Sequence, residues 1–100
     1  MTQKLKMTKS SGNVYQDIGF SHEESQDLLI RSTLMLKLRK RIEQLKLTQS
    51  DAAEQLQVTQ PRISDLMRGK ISLFSTEMLI GMLTKLGGQV SVSVKFKKAA

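Results

Sequence analysis

The sequence predicts a mainly α-helical domain of about five helices that ends in one β-strand. Three observations predict this class. Apolar residues recur at helical spacing in the first half, short stretches that each open on Ser or Thr follow, and the apolar period changes to two near the end. A chain of 100 residues allows one domain with one modest core, and at 4% aromatic residues that core is built mainly from Leu, Ile, Val and Met.

The first twelve residues hold three Lys and no acidic residue. We expect a disordered basic tail over 1–12 and a single folded domain over 13–100. Apolar residues return before Phe20, and Ser21 with Glu24 then forms a capping box, in which each side chain accepts from the backbone N–H of the other residue. A long helix is therefore predicted to begin near Ser21.

No Gly or Pro interrupts the stretch from Glu23 to Lys46, which predicts one long helix. Its inner face carries Leu28, Met35, Leu38, Ile42 and Leu45. A second apolar side needs a partner elsewhere in the fold or in another chain, and it consists of Leu29, Ile30, Leu34 and Leu36. The outer face of the second half is basic, and we expect Arg39, Lys40 and Arg41 to be solvated or to make weak phosphate contacts.

Two short helices with a tight connection are predicted over 48–69. Thr48 caps the first helix and Thr59 the second, while Pro61 lies in a first turn, where it removes no helical hydrogen bond. Ala53 is small where the two helices must cross closely. This spacing is typical of a helix-turn-helix unit.

A further helix begins at Ser75 or Thr76 and is followed by Gly87. Beyond it, alternation over 89–97 predicts a half-buried β-strand. Such a strand needs a partner, either the segment from Val14 to Ile18 or its own copy in a second subunit. We expect antiparallel self-pairing of this strand in a homodimer. The alternative is a dimer that forms through the long helix. The residues expected at the strand interface are Val90, Val92, Val94 and Phe96.

The composition excludes several kinds of site. The sequence has no Cys and one His, which excludes disulfides, thiolate zinc sites and cysteine nucleophiles. Glu23 and Glu24 stand at a helix start, and the Ser residues have no plausible base beyond His22, so we expect no enzyme, no metal and no cofactor. No apolar stretch approaches the length of a membrane span or a signal-peptide core, which favours a cytoplasmic protein without a membrane partner.

The net charge is +7, from 16 basic and 9 acidic residues, and it favours a polyanionic partner. The charge alone does not separate nucleic acid from membrane headgroups or from an ordinary soluble surface. Six of the basic residues lie near the two ends of the chain, so the middle is almost neutral. The placement of individual basic residues is therefore more informative than their number.

The stretch from Leu47 to Lys70 resembles the helix-turn-helix of the lambda-repressor and Cro-like regulators, the Xre type. The matching residues are Leu47-Thr48-Gln49, Ala53, Val58, Thr59-Gln60-Pro61, Ile63-Ser64 and Arg68-Gly69-Lys70. This resemblance implies sequence-specific binding to double-stranded DNA, with the second helix of the unit in the major groove. Gln57 departs from the family, which often has a left-handed Gly there, so a cost on the order of 1 kcal/mol or a different turn is expected.

More of the chain loosely resembles one branch of this family, the antitoxin-like regulators related to the host-inhibition-of-growth antitoxins. That match runs from Asn13–Phe20 through Leu73-Phe74-Ser75 to the predicted strand. It implies a homodimer that represses transcription from a pseudo-palindromic operator, often of an operon encoding a toxin that the same protein binds. A repressor is the leading hypothesis. The alternative is an antitoxin that mainly neutralises a toxin and binds DNA for autoregulation.

The polar residues of the second short helix suit the reading of base edges. Gln60 can form paired hydrogen bonds with adenine, and Thr59 and Pro61 can contact a thymine methyl group. Ser64 and Asp65 lie one turn further on, and Asp65 can accept from the cytosine amino group. The candidate phosphate contacts, which position the protein without specifying sequence, are Gln49, Arg62, Arg68 and Lys70.

Overall fold

A computed structural model describes residues 14–97, and the predicted tail over 1–12 lies outside them. The described residues form five α-helices and one 3₁₀ turn. The helices are α1 (Val14–Asp17), α2 (His22–Gln44), α3 (Gln49–Leu56), α4 (Gln60–Met67) and α5 (Thr76–Lys85), with the 3₁₀ turn at Ile71–Leu73 between α4 and α5.

Each helix from α2 to α5 begins at a Ser or Thr whose hydroxyl accepts from the backbone N–H three residues on. These caps are Ser21, Thr48, Thr59 and Ser75. At the start of α2 the capping box is complete, and the backbone N–H and hydroxyl of Ser21 hold the pKa of Glu24 below its ordinary value. The cap residues predicted from the sequence are therefore confirmed.

Helix α2 is the central element, because α1, α4, α5 and the 3₁₀ turn all contact it. It contributes Met35, Leu38 and Ile42 to a single core. The other elements add Ala52, Ala53, Leu56, Ile63, Leu66, Phe74, Leu79, Met82, Leu83 and Leu86. The aliphatic core expected from the composition is thus present, with Phe74 as its one buried aromatic residue among those described.

The basic face of α2 differs from its prediction at Arg41. This side chain is half-buried, and its Nε donates to the carbonyl of Leu86 at the end of α5, 3.0 Å away. Nζ of Lys85, on α5, likewise donates to the carbonyl of Leu56 at the end of α3, 3.2 Å away. Both carbonyls lie at helix C-termini, where intrahelical donors are lacking and a cation is favoured. Arg41 is therefore a structural contact between helices and is not a solvated residue.

The predicted strand over 89–97 is not present, since no strand occurs anywhere in residues 14–97. The segment proposed as its partner within the chain forms helix α1 instead, so that pairing is wrong. Val90 packs against the core, whereas Val92, Val94 and Phe96 are 81%, 70% and 91% exposed. Alternation indicated an apolar face here, but residues 14–97 supply no second strand to complete a ladder.

Gln57 ends α3 in the left-handed conformation, with φ 59° and ψ 43°. An L-residue is strained there, and glycine is not. We expect Gln57→Gly to raise the free energy of unfolding by about 0.5–1 kcal/mol, after the larger unfolded-state entropy of glycine is subtracted. Urea unfolding followed by circular dichroism measures the change.

A matched control is Gln55→Gly, since Gln55 is exposed within α3. Glycine there should lower the free energy of unfolding by about 1 kcal/mol, because it loses helix propensity without relieving strain. If both substitutions lowered stability equally, the left-handed strain at Gln57 would be absent.

Candidate nucleic-acid interface

Helices α3 and α4 are joined by the three residues Gln57, Val58 and Thr59. The N–H of Val58 donates to the carbonyl of Ala53 at 3.0 Å, which turns the chain back over α3. Ala53 is buried, and Val58 packs against the core. The short turn thus keeps α3 and α4 in contact with each other.

Helix α4 has one buried side and one open side. Ile63 and Leu66 are fully buried and fix the helix to the core. The residues predicted to read bases all lie on the open side of the helix or at its start: Thr59, Gln60 and Pro61 are exposed, and Ser64 and Asp65 are partly exposed. The structure thus brings all five together on one surface, which we call the α4 polar face.

Thr59 already uses its hydroxyl within the fold. Its Oγ1 accepts from the backbone N–H of Arg62 at 3.3 Å as the cap of α4. The methyl group remains for an apolar contact, such as the one predicted with thymine. Gln60 follows directly in the first helical turn, where its amide group extends from a rigid, capped helix start.

Asp65 lies between two of the predicted phosphate contacts. Its Oδ1 is 3.7 Å from Nη2 of Arg68 and 3.7 Å from Nζ of Lys70. The three side chains together carry one positive charge. The side chains of Arg68 and Lys70 are 60% and 46% exposed, and exposed pairs of this kind contribute little to stability. Arg68 and Lys70 therefore stay available to an external anion beside the α4 polar face.

Gln49 lies in the exposed first turn of α3. Thr48 and Asp51 form a capping box there, in which the backbone N–H of Asp51 donates to Thr48 at 3.0 Å. Helix geometry leaves the N–H groups of Gln49 and Ser50 without intrahelical acceptors. These donors suit an anion, although the carboxylate of Asp51 in the same turn opposes it.

Arg62 is placed differently from the other predicted phosphate contacts. Its Nη1 donates to the carbonyl of Leu73 at 3.0 Å, and its guanidinium carbon lies 5.5 Å from the centre of the Phe74 ring. Arg31 of α2 donates to the carbonyls of Ile71 and Phe74 in the same turn. Sequence reasoning missed Arg31, because no local pattern indicates a bond to a residue 40 positions away.

Comparison with known proteins decides the family. The sequence profile of a helix-turn-helix domain matches residues 14–95. This range includes all five helices and leaves out the last two described residues, 96 and 97. The chain belongs to this helix-turn-helix family. A solved structure that carries the name of an XRE family transcriptional regulator is similar to it at 29% identity, with a TM-score of 0.70 over 77% of this chain and 90% of that one. No curated protein sequence matches.

These matches confirm the resemblance to Xre-type helix-turn-helix proteins. Two further properties concern residues 14–97 alone. None of their helices is long and apolar enough to cross a membrane, and they contain no group of three or more His, Cys, Asp or Glu residues placed to hold a metal ion.

Proposed function

We propose that this helix-turn-helix protein is a sequence-specific DNA-binding transcriptional regulator that acts as a homodimeric repressor in the cytoplasm. One observation carries the proposal. Helix α4 is fixed to the core by Ile63 and Leu66 and presents the α4 polar face outward from its N-terminal turns. Helix-turn-helix regulators place this part of the second helix in the major groove.

The α4 polar face supplies the base contacts of the proposal. Gln60 forms paired hydrogen bonds with an adenine, and the methyl of Thr59 and the ring of Pro61 contact thymine methyl groups. Ser64 and Asp65, one turn along, reach the next base pair, where Asp65 accepts from a cytosine amino group. Partial exposure and rigid helical placement support these roles.

Phosphate contacts on either side of the α4 polar face hold the protein in register. Arg68 and Lys70 lie at the C-terminal end of α4, and Gln49 lies at the start of α3. Their contacts add affinity on any duplex and make it depend on salt. Asp65 competes with phosphate for Arg68 and Lys70, which keeps this non-specific term modest.

The homodimer of the proposal forms through the C-terminal segment. Val92, Val94 and Phe96 form an exposed row that continues from the core-packed Val90. Antiparallel pairing of two copies gives the backbone its missing partners and covers this row. The two copies of α4 then enter major grooves about 34 Å apart.

The antitoxin alternative has narrower support. It rests on the resemblance of the chain to antitoxin-like regulators, and no contact among residues 14–97 distinguishes a toxin-binding surface from a dimer surface. Co-purification with the product of a neighbouring small gene would favour a toxin as the main partner. A footprint made by the protein alone would favour the regulator.

Selection of bound duplexes from a random DNA pool tests the proposed function. We expect enrichment of one sequence with two inverted half-sites, spaced about 10 base pairs or a multiple apart, because a two-fold symmetric dimer requires a two-fold symmetric site. Sedimentation at micromolar concentration should show a dimer. Recovery of no common sequence would contradict specific binding, and a single half-site bound by a monomer would contradict the dimer.

A further inference from the structure

The turn between α4 and α5 is held by arginines from two sides. Arg62 donates to the carbonyl of Leu73, and Arg31 donates to those of Ile71 and Phe74 at 3.2 and 3.3 Å. Asp27, one helical turn before Arg31, forms an ion pair with it. Three carbonyls of this turn, those of residues 71, 73 and 74, therefore have charged donors.

Phe74 connects this turn to the core. Its side chain is 1% exposed, and the guanidinium of Arg62 lies over its ring. A guanidinium that lies over an aromatic ring and donates to a carbonyl at once has restricted freedom, because its planar shape suits both contacts. Lysine has the same charge, but its compact ammonium group lacks the planar guanidinium.

Arg62 belongs to the first turns of α4, directly after Gln60 and Pro61, and its own N–H donates to the cap Thr59. A bond from this position to the turn beyond α4 ties the N-terminal end of the helix to the segment that follows its C-terminal end. The bond therefore fixes the α4 polar face relative to α2 and α5.

We infer that Arg62 is a positioning residue for the recognition helix and does not bind a DNA phosphate. This inference rests on the proposed function, since it concerns how the α4 polar face is held against DNA. The contacts with Leu73 and Phe74 restrict how far the guanidinium can turn toward a phosphate. Arg68, whose side chain is 60% exposed, has no such constraint.

Salt dependence separates the two roles. A residue that binds a phosphate releases counterions, so its loss reduces the slope of log K against log salt by about 0.9. A residue that only orients the helix leaves this slope unchanged and lowers affinity for the specific site alone. Arg62→Lys adds a second distinction, because it keeps the charge but loses the planar donor group.

The experiment compares wild type, Arg62→Lys, Arg62→Gln and the control Arg68→Gln. Each binds the selected duplex and a random duplex over a series of salt concentrations, at a temperature where circular dichroism shows all four folded. We expect both Arg62 variants to lose on the order of tenfold in affinity for the selected duplex, with the wild-type salt slope and nearly unchanged affinity for random DNA. Arg68→Gln should show the reduced slope on both duplexes.

Full binding by Arg62→Lys, together with a reduced slope for Arg62→Gln, would overturn the inference and make Arg62 a phosphate contact. Wild-type affinity in both Arg62 variants would overturn the inference as well, because the loss of Arg62 would then have no effect on DNA binding.

A measurement without DNA keeps this inference distinguishable from the proposed function. The N–H of Phe74 donates to the carbonyl of Ile71 at 3.2 Å within the turn between α4 and α5. Its hydrogen exchange should become faster in both Arg62 variants and stay at the wild-type rate in Arg68→Gln. If the wild-type protein discriminates no duplex, the proposed function fails, whereas unchanged exchange at Phe74 would show that Arg62 does not hold the turn.

Discussion

Replacing Phe74 by Ala is expected to lower the free energy of unfolding by about 3–5 kcal/mol. Phe74 is the largest fully buried side chain of the described residues. Its truncation removes apolar burial and leaves a cavity between α2 and the turn, and Arg62 loses the ring beneath its guanidinium. Domains of this size have total stabilities of about 5–15 kcal/mol, so the variant should be close to unfolding at ambient temperature.

Urea unfolding at 25 °C measures this loss, and Leu73→Ala is the matched control. Leu73 precedes Phe74 in the chain but is 46% exposed. Its truncation should change stability by less than about 1 kcal/mol, since it leaves no cavity. Phe74→Leu should lie between the two, because it keeps an apolar group in the cavity. Equal losses for Leu73→Ala and Phe74→Ala would contradict the assignment of Phe74 to the core.

The helix starts could be predicted from the sequence because their physics is local. Thr48, Thr59 and Ser75 each accept from an N–H three residues away, and Pro61 requires a helix start at the same place. The polar and apolar sides of α4 followed from the same short-range spacing. The surface of the candidate site was therefore predictable before any tertiary contact was known.

The contacts that hold this surface were not predictable in the same way. Arg62 bonds a carbonyl 11 residues away, and Arg41 bonds one 45 residues away. An arginine on a helix gives the same sequence pattern whether it faces solvent or a helix C-terminus. The prediction that Arg41 is solvated came from this ambiguity and is wrong. The phosphate role predicted for Arg62 has the same origin and stays a prediction.

The C-terminal segment shows a second limit of periodicity. Alternation over 90–96 indicates that one side of the segment is apolar, but it does not identify what covers that side. Within the chain only Val90 is packed against the core. None of residues 14–97 buries Val92, Val94 or Phe96, and the local pattern does not encode a partner that would.

Net charge is a poor guide to DNA binding in this protein. Ten Lys and Arg residues lie between residues 31 and 85. Four of them donate to backbone carbonyls, namely Arg31, Arg41, Arg62 and Lys85. Two more pair with Asp65. Six of these ten basic residues thus have partners inside the fold, so the position of each says more about DNA binding than their number.

Replacing Gln60 by Ala is expected to weaken binding to the selected duplex by about 1–3 kcal/mol, or roughly 5- to 150-fold, and to leave binding to random DNA nearly unchanged. The amide of Gln60 supplies one donor and one acceptor, which match the major-groove edge of adenine. Phosphate contacts do not involve this side chain, so the salt slope should stay at its wild-type value. Fluorescence anisotropy with labelled duplexes measures both affinities.

The control is Gln55→Ala, which removes the same amide from an exposed position on α3, outside the α4 polar face. This variant should bind both duplexes as the wild type does. A duplex in which the adenine opposite Gln60 is replaced should already bind wild type weakly, and Gln60→Ala should reduce that binding little further, because the lost contact is the same one. Equal losses by Gln60→Ala on selected and random DNA would contradict base reading and would leave Gln60 as a backbone contact.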